Sequence, residues 1–463
     1  MSALLTTPAP AVPSPTLTTQ TPAASGRVFP SPIAPRASAI QPGELVRRAP
    51  MISAMQAAHW DLDPTLAFLN HGSYGACPRY VLAAQQAIRA RMEADPVRFY
   101  KVDLENLMDR TRLALGSFLR CDPDLLAPFP NATVALCTAL RNFPFKPGDE
   151  IITNDHEYMS GTNELDRIAA ERSLKVVKPA LPYPLPTDPA AAREAIVTAI
   201  MSAVTPRTRM VLVSHITSCT SLILPVERLA AECKARGIEI LIDGTHAVGQ
   251  IPVDVASLDP AFYVGSGHKW LSSPKGTGFL YVRRDLAEGF RPLSLSSRAH
   301  KLRPERALFL RDFDYVGTCD YSNVLVLPEC LEFYATLLPG GWPELLASNH
   351  RLIMQGRDTI AQLAGLTPPC PETLIGCMAT LIIPEPPAPP SAGIAPRRTL
   401  YDDPLQDALL DRHRVVAPVW RLGANGPRVI RFSAQVYNHP EQYAHAGRAL
   451  AEELSREQAL PRG

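Results

Sequence analysis

The stretch IEILIDGTH at residues 238–246, followed along the chain by FYVGSGHKW at residues 262–270, decides the fold. Each stretch opens with an apolar run that predicts a strand, and each ends in small and polar residues that predict a turn. Such a continuous apolar run is typical of a parallel-sheet strand covered on both faces. Because ligands of open α/β sheets bind beyond the carboxyl ends of the strands, we expect Asp243 and Lys269 to lie at a binding site.

The same alternation of strands and helices extends over about residues 125–285. Further strands are predicted at 150–153, 174–177, 210–213 and 278–282, and helices at 160–172, 189–203 and 225–236. This pattern predicts an α/β fold, with a mainly parallel sheet and helices on both of its faces. After about residue 330 the pattern changes to helices at 342–364 and 440–458, short strands at 414–420 and 427–433, and an exposed proline-rich loop at 384–396.

We therefore predict a large domain over residues 57–330 and a smaller α+β C-terminal domain over 331–463, preceded by a tail over 1–56. The tail is rich in proline, alanine, serine and threonine, has no lysine and one acidic residue, Glu44. Such a segment buries too little apolar surface to offset the entropy of ordering, so we expect disorder. A solvated tail, translation from Met51 or Met55, and an organelle transit peptide stay open as explanations.

Bulk composition argues against several classes of protein. The 463 residues carry 46 basic and 45 acidic side chains, whereas nucleic-acid or membrane-surface binding normally needs a basic excess. No apolar run approaches the roughly 20 residues of a membrane span. The nine cysteines form no CxxC pair, which predicts neither a disulfide framework nor a metal site. We expect a cytoplasmic protein with a small-molecule partner, with organelle import as the alternative.

Two residues at the ends of the defining strands suggest cofactor chemistry. The carboxylate of Asp243 could pair with a cationic pyridinium nitrogen and keep it protonated, as pyridoxal 5′-phosphate (PLP) chemistry needs; capping a helix is the equally weighted alternative. Lys269 follows small residues that allow a sharp turn, and a partly desolvated lysine is a usable nucleophile. A surface lysine is the alternative, and Lys275, in a predicted exposed turn at 273–276, is its competitor.

Three further features are individually weak. The helix that opens at Asn131-Ala132-Thr133-Val134 offers free N–H groups to a phosphate, or it is an ordinary capped helix. His156 follows a predicted strand and could stack on a pyridine ring, although a lone histidine more often serves in hydrogen bonding. Arg431, in an apolar strand with Arg428 nearby, could bind a carboxylate or form an internal ion pair.

The order of these motifs resembles the class V aminotransferase family of fold-type I PLP enzymes over about residues 65–455. The sequences LNHGSYG at 69–75, HKWL at 268–271 and FSAQVYN at 432–438 resemble the isopenicillin N epimerase-like subgroup, and hercynylcysteine sulfoxide lyases look similar at the same places.

The resemblance implies a role for each site residue. Lys269 would form the Schiff base with PLP and move the α-proton, Asp243 would pair with the pyridine nitrogen, His156 would stack on the ring, and His246 would lie near its phenolic oxygen. Arg431 would bind the substrate carboxylate. Phosphate contacts are implied for Ala132, Thr133, Val134, Ser266 and His268. Thr318 would reach the phosphate of a neighbouring subunit, which implies a homodimer with shared sites.

The implied activity is epimerase or C–S lyase chemistry at Cα of an amino-acid-like substrate. Hercynylcysteine sulfoxide lyase-like β-elimination and transamination are alternatives, because the fold does not decide the outcome. A nicotinamide-dependent dehydrogenase is disfavoured, since Gly265-x-Gly267 lacks the third glycine of its turn. A non-catalytic PLP-fold binding protein would be expected to lack Lys269 or Asp243.

Three departures from the family pattern stand out. No cysteine follows Cys377, where cysteine desulfurases carry a catalytic one. His246 occupies a position where desulfurases carry glutamine, and Ser221 one where glycine is common.

Overall fold

The computed structural model of the chain describes residues 58–301, 303–386, 399–423 and 426–459. The predicted disordered tail lies outside these residues, as does most of the predicted loop at 384–396. None of the helices in the described ranges is long and apolar enough to cross a membrane.

The described strands are short and lie in three sheets. In chain order they are β1 (Ala67–Phe68), β2 (Leu126–Phe129), β3 (Glu150–Ile152), β4 (Lys175–Val177), β5 (Thr208–Ser214), β6 (Glu239–Asp243), β7 (Phe262–Ser266), β8 (Gly278–Val282), β9 (Met378–Ile382), β10 (Val415–Val416), β11 (Val419–Arg421) and β12 (Arg428–Ser433).

Helices separate most of these strands. They are α1 (Arg79–Ala94), α2 (Pro96–Arg98), α3 (Leu104–Leu119), α4 (Ala132–Asn142), α5 (Met159–Arg172), α6 (Pro189–Met201), α7 (Val226–Ala235), α8 (Val255–Leu258), α9 (Arg284–Ala287), α10 (Leu308–Phe313), α11 (Ser322–Leu325), α12 (Leu327–Leu337), α13 (Gly341–Ala364), α14 (Pro404–His413) and α15 (Pro440–Gln458). A π-helical turn, Phe99–Asp103, joins α2 to α3, and 3₁₀ turns lie at Pro123–Leu125 and Glu372–Leu374.

The largest sheet has the strand order β2-β8-β7-β6-β5-β3-β4. Its strands pair in parallel from β4 to β7, and β8 is antiparallel to both of its neighbours. The predicted α/β fold with a mainly parallel sheet is therefore confirmed.

Successive residues of β5 enter different cores. Val211 and Val213 pack in one hydrophobic cluster, and Met210 and Leu212 pack in another. All four are fully buried, as expected where successive side chains point to opposite faces and helices cover both. Because full burial of each such side chain contributes about 1.5–3 kcal/mol, the two cores fix the register of the strands that end at the site.

A smaller antiparallel sheet, in the order β11-β12-β9, lies in the C-terminal part of the chain, where α13 and α15 also contribute to the core. The N-terminal segment joins this part, because β1 pairs in parallel with β10 and the amide of Ser433 donates to Leu69 O over 2.8 Å. Residues 67–69 therefore pair with C-terminal strands, although the sequence assigns them to the large domain; the boundary at residue 330 stays a prediction.

The two arginines of β12 point to opposite sides of the strand, because they are three positions apart and successive side chains alternate between the two faces. Arg428 is buried and pairs with Asp403 at 2.6 Å and with Glu457 at 2.7 Å. Arg428 thus forms an internal ion pair, which was one of the two roles that the sequence allowed for Arg431. Arg431 instead lines the cavity described below.

Replacing Arg428 by methionine should destabilise the fold and spare the cavity. Removing one member of a buried ion pair costs about 3–5 kcal/mol, because its partners keep their charge without compensation. We expect a lower urea midpoint for Arg428→Met, measured by circular dichroism. Arg448→Met, at an exposed position of α15, is the matched control and should unfold like the wild type. Equal midpoints for the two variants would contradict this account.

Candidate active site

A cavity of about 490 Å³ opens at the carboxyl ends of β5, β6 and β7. Residues from well-separated segments between Asn70 and Arg431 contribute to its wall. The lining residues are Asn70, Ser73, Tyr74, Asn131, Ala132, Thr133, Leu136, Tyr158, Ser160, Ser214, Ile216, Ser218, Asp243, Thr245, His246, Ser266, His268, Lys269, Leu400, Tyr401, Asp402, Gln406, Pro418, Trp420 and Arg431.

Asp243 is the last residue of β6 and lines the cavity. Its Oδ1 accepts the amide hydrogen of Thr245 over 2.8 Å. Burial raises the pKa of Asp243, while the bonds from Thr245 and the charge of Lys269 oppose the rise. Gly244 allows the turn, since a Cβ at this position would lie 2.2 Å from the ring of Tyr263. A cation that binds beside this carboxylate would keep it ionised.

Lys269 enters the same cavity from the turn after β7. Its Nζ lies 3.1 Å from Nε2 of His246 and 5.6 Å from the ring centre of Tyr158. Removal from water and, to a smaller extent, the positive charge of Arg431 lower the pKa of Lys269 to about 7, against the attraction of Asp243. Near neutral pH a large share of Lys269 is therefore an unprotonated, nucleophilic amine.

Arg431 lines the same cavity and is 1% exposed. Its guanidinium donates to Ser218 O over 2.7 Å and to Ser73 Oγ over 2.8 Å, and it lies over the ring of Trp420 at 5.0 Å. Among the residues that the structure describes, no carboxylate pairs with it, and burial lowers its pKa to about 10. A buried cation without a counter-ion fits a substrate carboxylate.

Hydroxyl, amide and imidazole groups also line the cavity, close to the start of α4. Ala132, Thr133, Ser266 and His268 all line the cavity there. The amide of Ala132 donates to Ser266 Oγ over 3.3 Å, and His268 Nδ1 lies 3.0 Å from Thr277 O. Together with the helix N-terminus, these groups suit an anion such as a phosphate.

Three of the predicted site residues are not among the lining residues of the described chain. The amide of Val134 donates to the capping side chain of Asn131 over 2.9 Å. His156 is buried, bonds Thr220 through Nδ1 at 3.0 Å, and meets Tyr183 edge to face. Thr318 is exposed on the loop before α11. The structure places the other predicted site residues along one cavity, and the cofactor roles of all of them stay proposals.

The sequence did not predict the hydrogen bonds that hold the backbone of Lys269 in place. His71 is buried, with Nε2 at 3.0 Å from Lys269 O and Nδ1 at 2.6 Å from the hydroxyl of Tyr437. Because a carbonyl only accepts, His71 Nε2 carries the proton, and Nδ1 accepts from Tyr437. Gly75 also packs here, since a Cβ on it would lie 2.2 Å from Lys269 O. The sequence signal that could have predicted this contact lies in the motifs at 69–75 and 432–438, which contain His71 and Tyr437.

Ser221 now has a structural explanation. Its φ is +60°, in the left-handed region that glycine adopts without strain. The hydroxyl of Ser221 lies 2.9 Å from that of Thr380 on β9. This hydrogen bond fixes the loop that carries Ser218 against the small sheet and helps to offset the strain of a non-glycine residue.

The functional groups that line this cavity fit PLP. A carboxylate for the ring nitrogen, a neutral amine for the aldehyde and a helix N-terminus for the phosphate line one space, and Arg431 leaves a cation for the substrate. A volume of about 490 Å³ lies within the range of small-molecule sites.

Comparison with known proteins agrees with this chemistry. The family model "Aminotransferase class-V" matches residues 77–368. Isopenicillin N epimerase of Streptomyces clavuligerus is 32% identical over 416 residues, which cover 86% of this chain and 98% of that protein. The probable chloroplastic L-cysteine desulfhydrase of Arabidopsis thaliana is 26% identical over 82% of this chain and 81% of its own length.

A solved structure supports the fold. The cystine C–S lyase C-DES, in complex with its product cysteine persulfide, superposes with a TM-score of 0.68 at 20% identity, over 85% of this chain and 97% of that one. With the family match across more than half of its length and a relative at 32% identity, this chain belongs to the class V aminotransferase family of PLP-dependent enzymes.

Proposed function

We propose that this chain removes the α-proton of an amino-acid substrate with the amine of Lys269, and that epimerisation at Cα is the result. The observation that carries the proposal is the amine of Lys269, whose pKa is lowered to about 7 in one cavity with Asp243 and Arg431. The 32% identity to an isopenicillin N epimerase over nearly all of that protein supports the epimerase outcome.

When bound, PLP supplies an electron sink that stabilises the negative charge left at Cα. Lys269 would hold the cofactor covalently, and Asp243 would pair with its ring nitrogen. Ala132, Thr133, Ser266 and His268 would hold its phosphate, and Arg431 would orient the substrate through the carboxylate.

Lys269 suits the work of a base because its surroundings favour the uncharged form. The half-buried amine has little water around it, and the guanidinium of Arg431 repels a second positive charge. A base with a pKa near the working pH combines the correct protonation state with a useful driving force for proton transfer.

Persulfide chemistry of the cysteine desulfurase kind has no support here. No cysteine lines the cavity among the described residues, and none follows Cys377 in the sequence. Cys219 is the cysteine next to Ser218 near Arg431, and burial raises its pKa to about 11, so that it is protonated and inert at neutral pH.

A C–S lyase is the second candidate, favoured by the similarity to an L-cysteine desulfhydrase. Both outcomes begin with loss of the α-proton. Expulsion of a sulfur substituent from Cβ would then give elimination, whereas return of a proton to the other face would give epimerisation.

The titration of Lys269 tests the proposed base. In the cofactor-free protein, labelling of Lys269 by an amine-reactive reagent should rise with pH around a midpoint near 7, about three units below an ordinary lysine. Arg431→Met should raise the midpoint, because it removes a positive charge that disfavours the ammonium, and Asp243→Asn should lower it. Arg431→Lys keeps the charge and is the control. Peptide mass spectrometry measures the labelling, and a wild-type midpoint near 10 would contradict the proposal.

The reaction outcome can be read in deuterated water. We expect the enzyme to exchange the α-hydrogen of its substrate for deuterium and to form the opposite enantiomer, with the carbon skeleton intact. The panel comprises D- and L-amino acids, cysteine conjugates and cysteine sulfoxides, followed by chiral mass spectrometry. Release of pyruvate and a sulfur fragment would instead identify the C–S lyase. Neither deuteration nor elimination with any compound would refute both candidates.

We further propose a homodimer in which Thr318 serves the site of the second subunit. The loop that carries Thr318 is anchored by Arg298, which stacks on Tyr315 at 4.3 Å, and the hydroxyl of Tyr315 lies 2.6 Å from that of Thr318. The loop presents an exposed Val316 beside Thr318. An anchored loop with exposed apolar groups, away from the cavity of its own chain, suits a subunit interface.

Mixed subunits test this arrangement. Lys269→Ala should abolish turnover, and Thr318→Asp should weaken cofactor binding by repelling the phosphate. A mixed dimer of the two variants would regain one intact site, built from the Lys269 of one subunit and the Thr318 of the other. Refolding an equal mixture should recover about a quarter of wild-type turnover, since half of the dimers are mixed. No recovery, or a monomer in sedimentation, would refute the shared site.

A further inference from the structure

We propose that Trp270 fixes the tautomer of His246. Nε2 of His246 thereby becomes a hydrogen-bond donor toward the amine of Lys269 and, when PLP is bound, toward the phenolic oxygen of the cofactor. This makes Trp270 a positioning residue, and the inference rests on the proposed PLP-binding function of the cavity.

The geometry leaves one proton arrangement. The indole Nε1 of Trp270 lies 3.3 Å from Nδ1 of His246. An indole N–H donates and has no lone pair to accept, so Nδ1 of His246 must be the acceptor. A neutral imidazole carries one proton, which therefore sits on Nε2, the nitrogen that faces Lys269 Nζ at 3.1 Å.

The surroundings of His246 agree with a neutral ring. Burial, together with the positive charges of Lys269 and Arg431, holds the pKa of His246 well below its ordinary value. An Nε2–H group facing Lys269 can bond only to the lone pair of an unprotonated amine. The arrangement therefore favours the nucleophilic form of Lys269 as well as a donor toward the cofactor.

This arrangement explains how a histidine can replace the glutamine of cysteine desulfurases. A glutamine amide always has N–H groups to donate, whereas an imidazole donates from Nε2 only in one of its neutral tautomers. Trp270 is fully buried and lies 5.1 Å from the ring of His71, so its N–H is held in place. The side chain of Gln250 donates to His246 O over 2.6 Å and holds the backbone of His246.

Histidine tautomers can be observed directly in the full-length protein. In ¹⁵N-histidine spectra of the holoenzyme and of the cofactor-free chain, His246, assigned by its loss in His246→Gln, should be the Nε2–H tautomer. Trp270→Phe removes the donor and should populate the Nδ1–H tautomer. Replacing Trp270 by benzothienylalanine, which keeps the shape of the side chain without the N–H, should do the same. An unchanged tautomer in both variants would overturn the proposal.

A double-variant cycle separates this role from packing. Trp270→Phe should weaken PLP binding by about three- to tenfold when His246 is present, the size of one lost hydrogen bond. In the His246→Gln background the loss should nearly vanish, because glutamine needs no tautomer. An equal loss in both backgrounds would show that Trp270 acts through packing alone. If no variant, the wild type included, bound PLP, the proposed function would fail instead.

Discussion

The structure depends on holding one amine out of water at the end of a buried strand. Lys269 has a pKa of about 7 because its ammonium form would face little solvent and a nearby guanidinium. Burying the charged form of such an amine disfavours folding, whereas the neutral form can act as a nucleophile or a base. The packed faces of the central sheet supply the rigidity that keeps Lys269 beside His246 and in the same cavity as Asp243.

Segments far apart in the chain meet at this lysine. His71 bonds the backbone carbonyl of Lys269, and Tyr437 bonds His71. Trp270 bonds the imidazole of His246, which faces the amine of Lys269. The pairing of β1 with β10 brings the N-terminal segment to the C-terminal strands. Strand β12 thus positions Arg431, and Tyr437, which follows this strand, helps to hold Lys269 through His71.

Much of this could be predicted from sequence because it rests on local patterns. Continuous apolar runs predict β5 to β7, and the topology of an open sheet places Asp243 and Lys269 at one edge. The roles of Arg428 and Arg431 could not be told apart, since the difference depends on which side of β12 faces Asp403. The support from His71 and Tyr437 was missed because it joins residues hundreds of positions apart, and no local pattern predicts the burial of His156 behind Thr220.

The most direct test of the central claim is to locate the lysine that carries the cofactor. Purified holoenzyme is reduced with borohydride, digested, and its peptides are sequenced by mass spectrometry. The account predicts a pyridoxyl group on Lys269 in the peptide that spans residues 262–275. A modified Lys275, whose amine donates to Gly75 O over 2.7 Å, or a holoenzyme with no modified lysine, would contradict it.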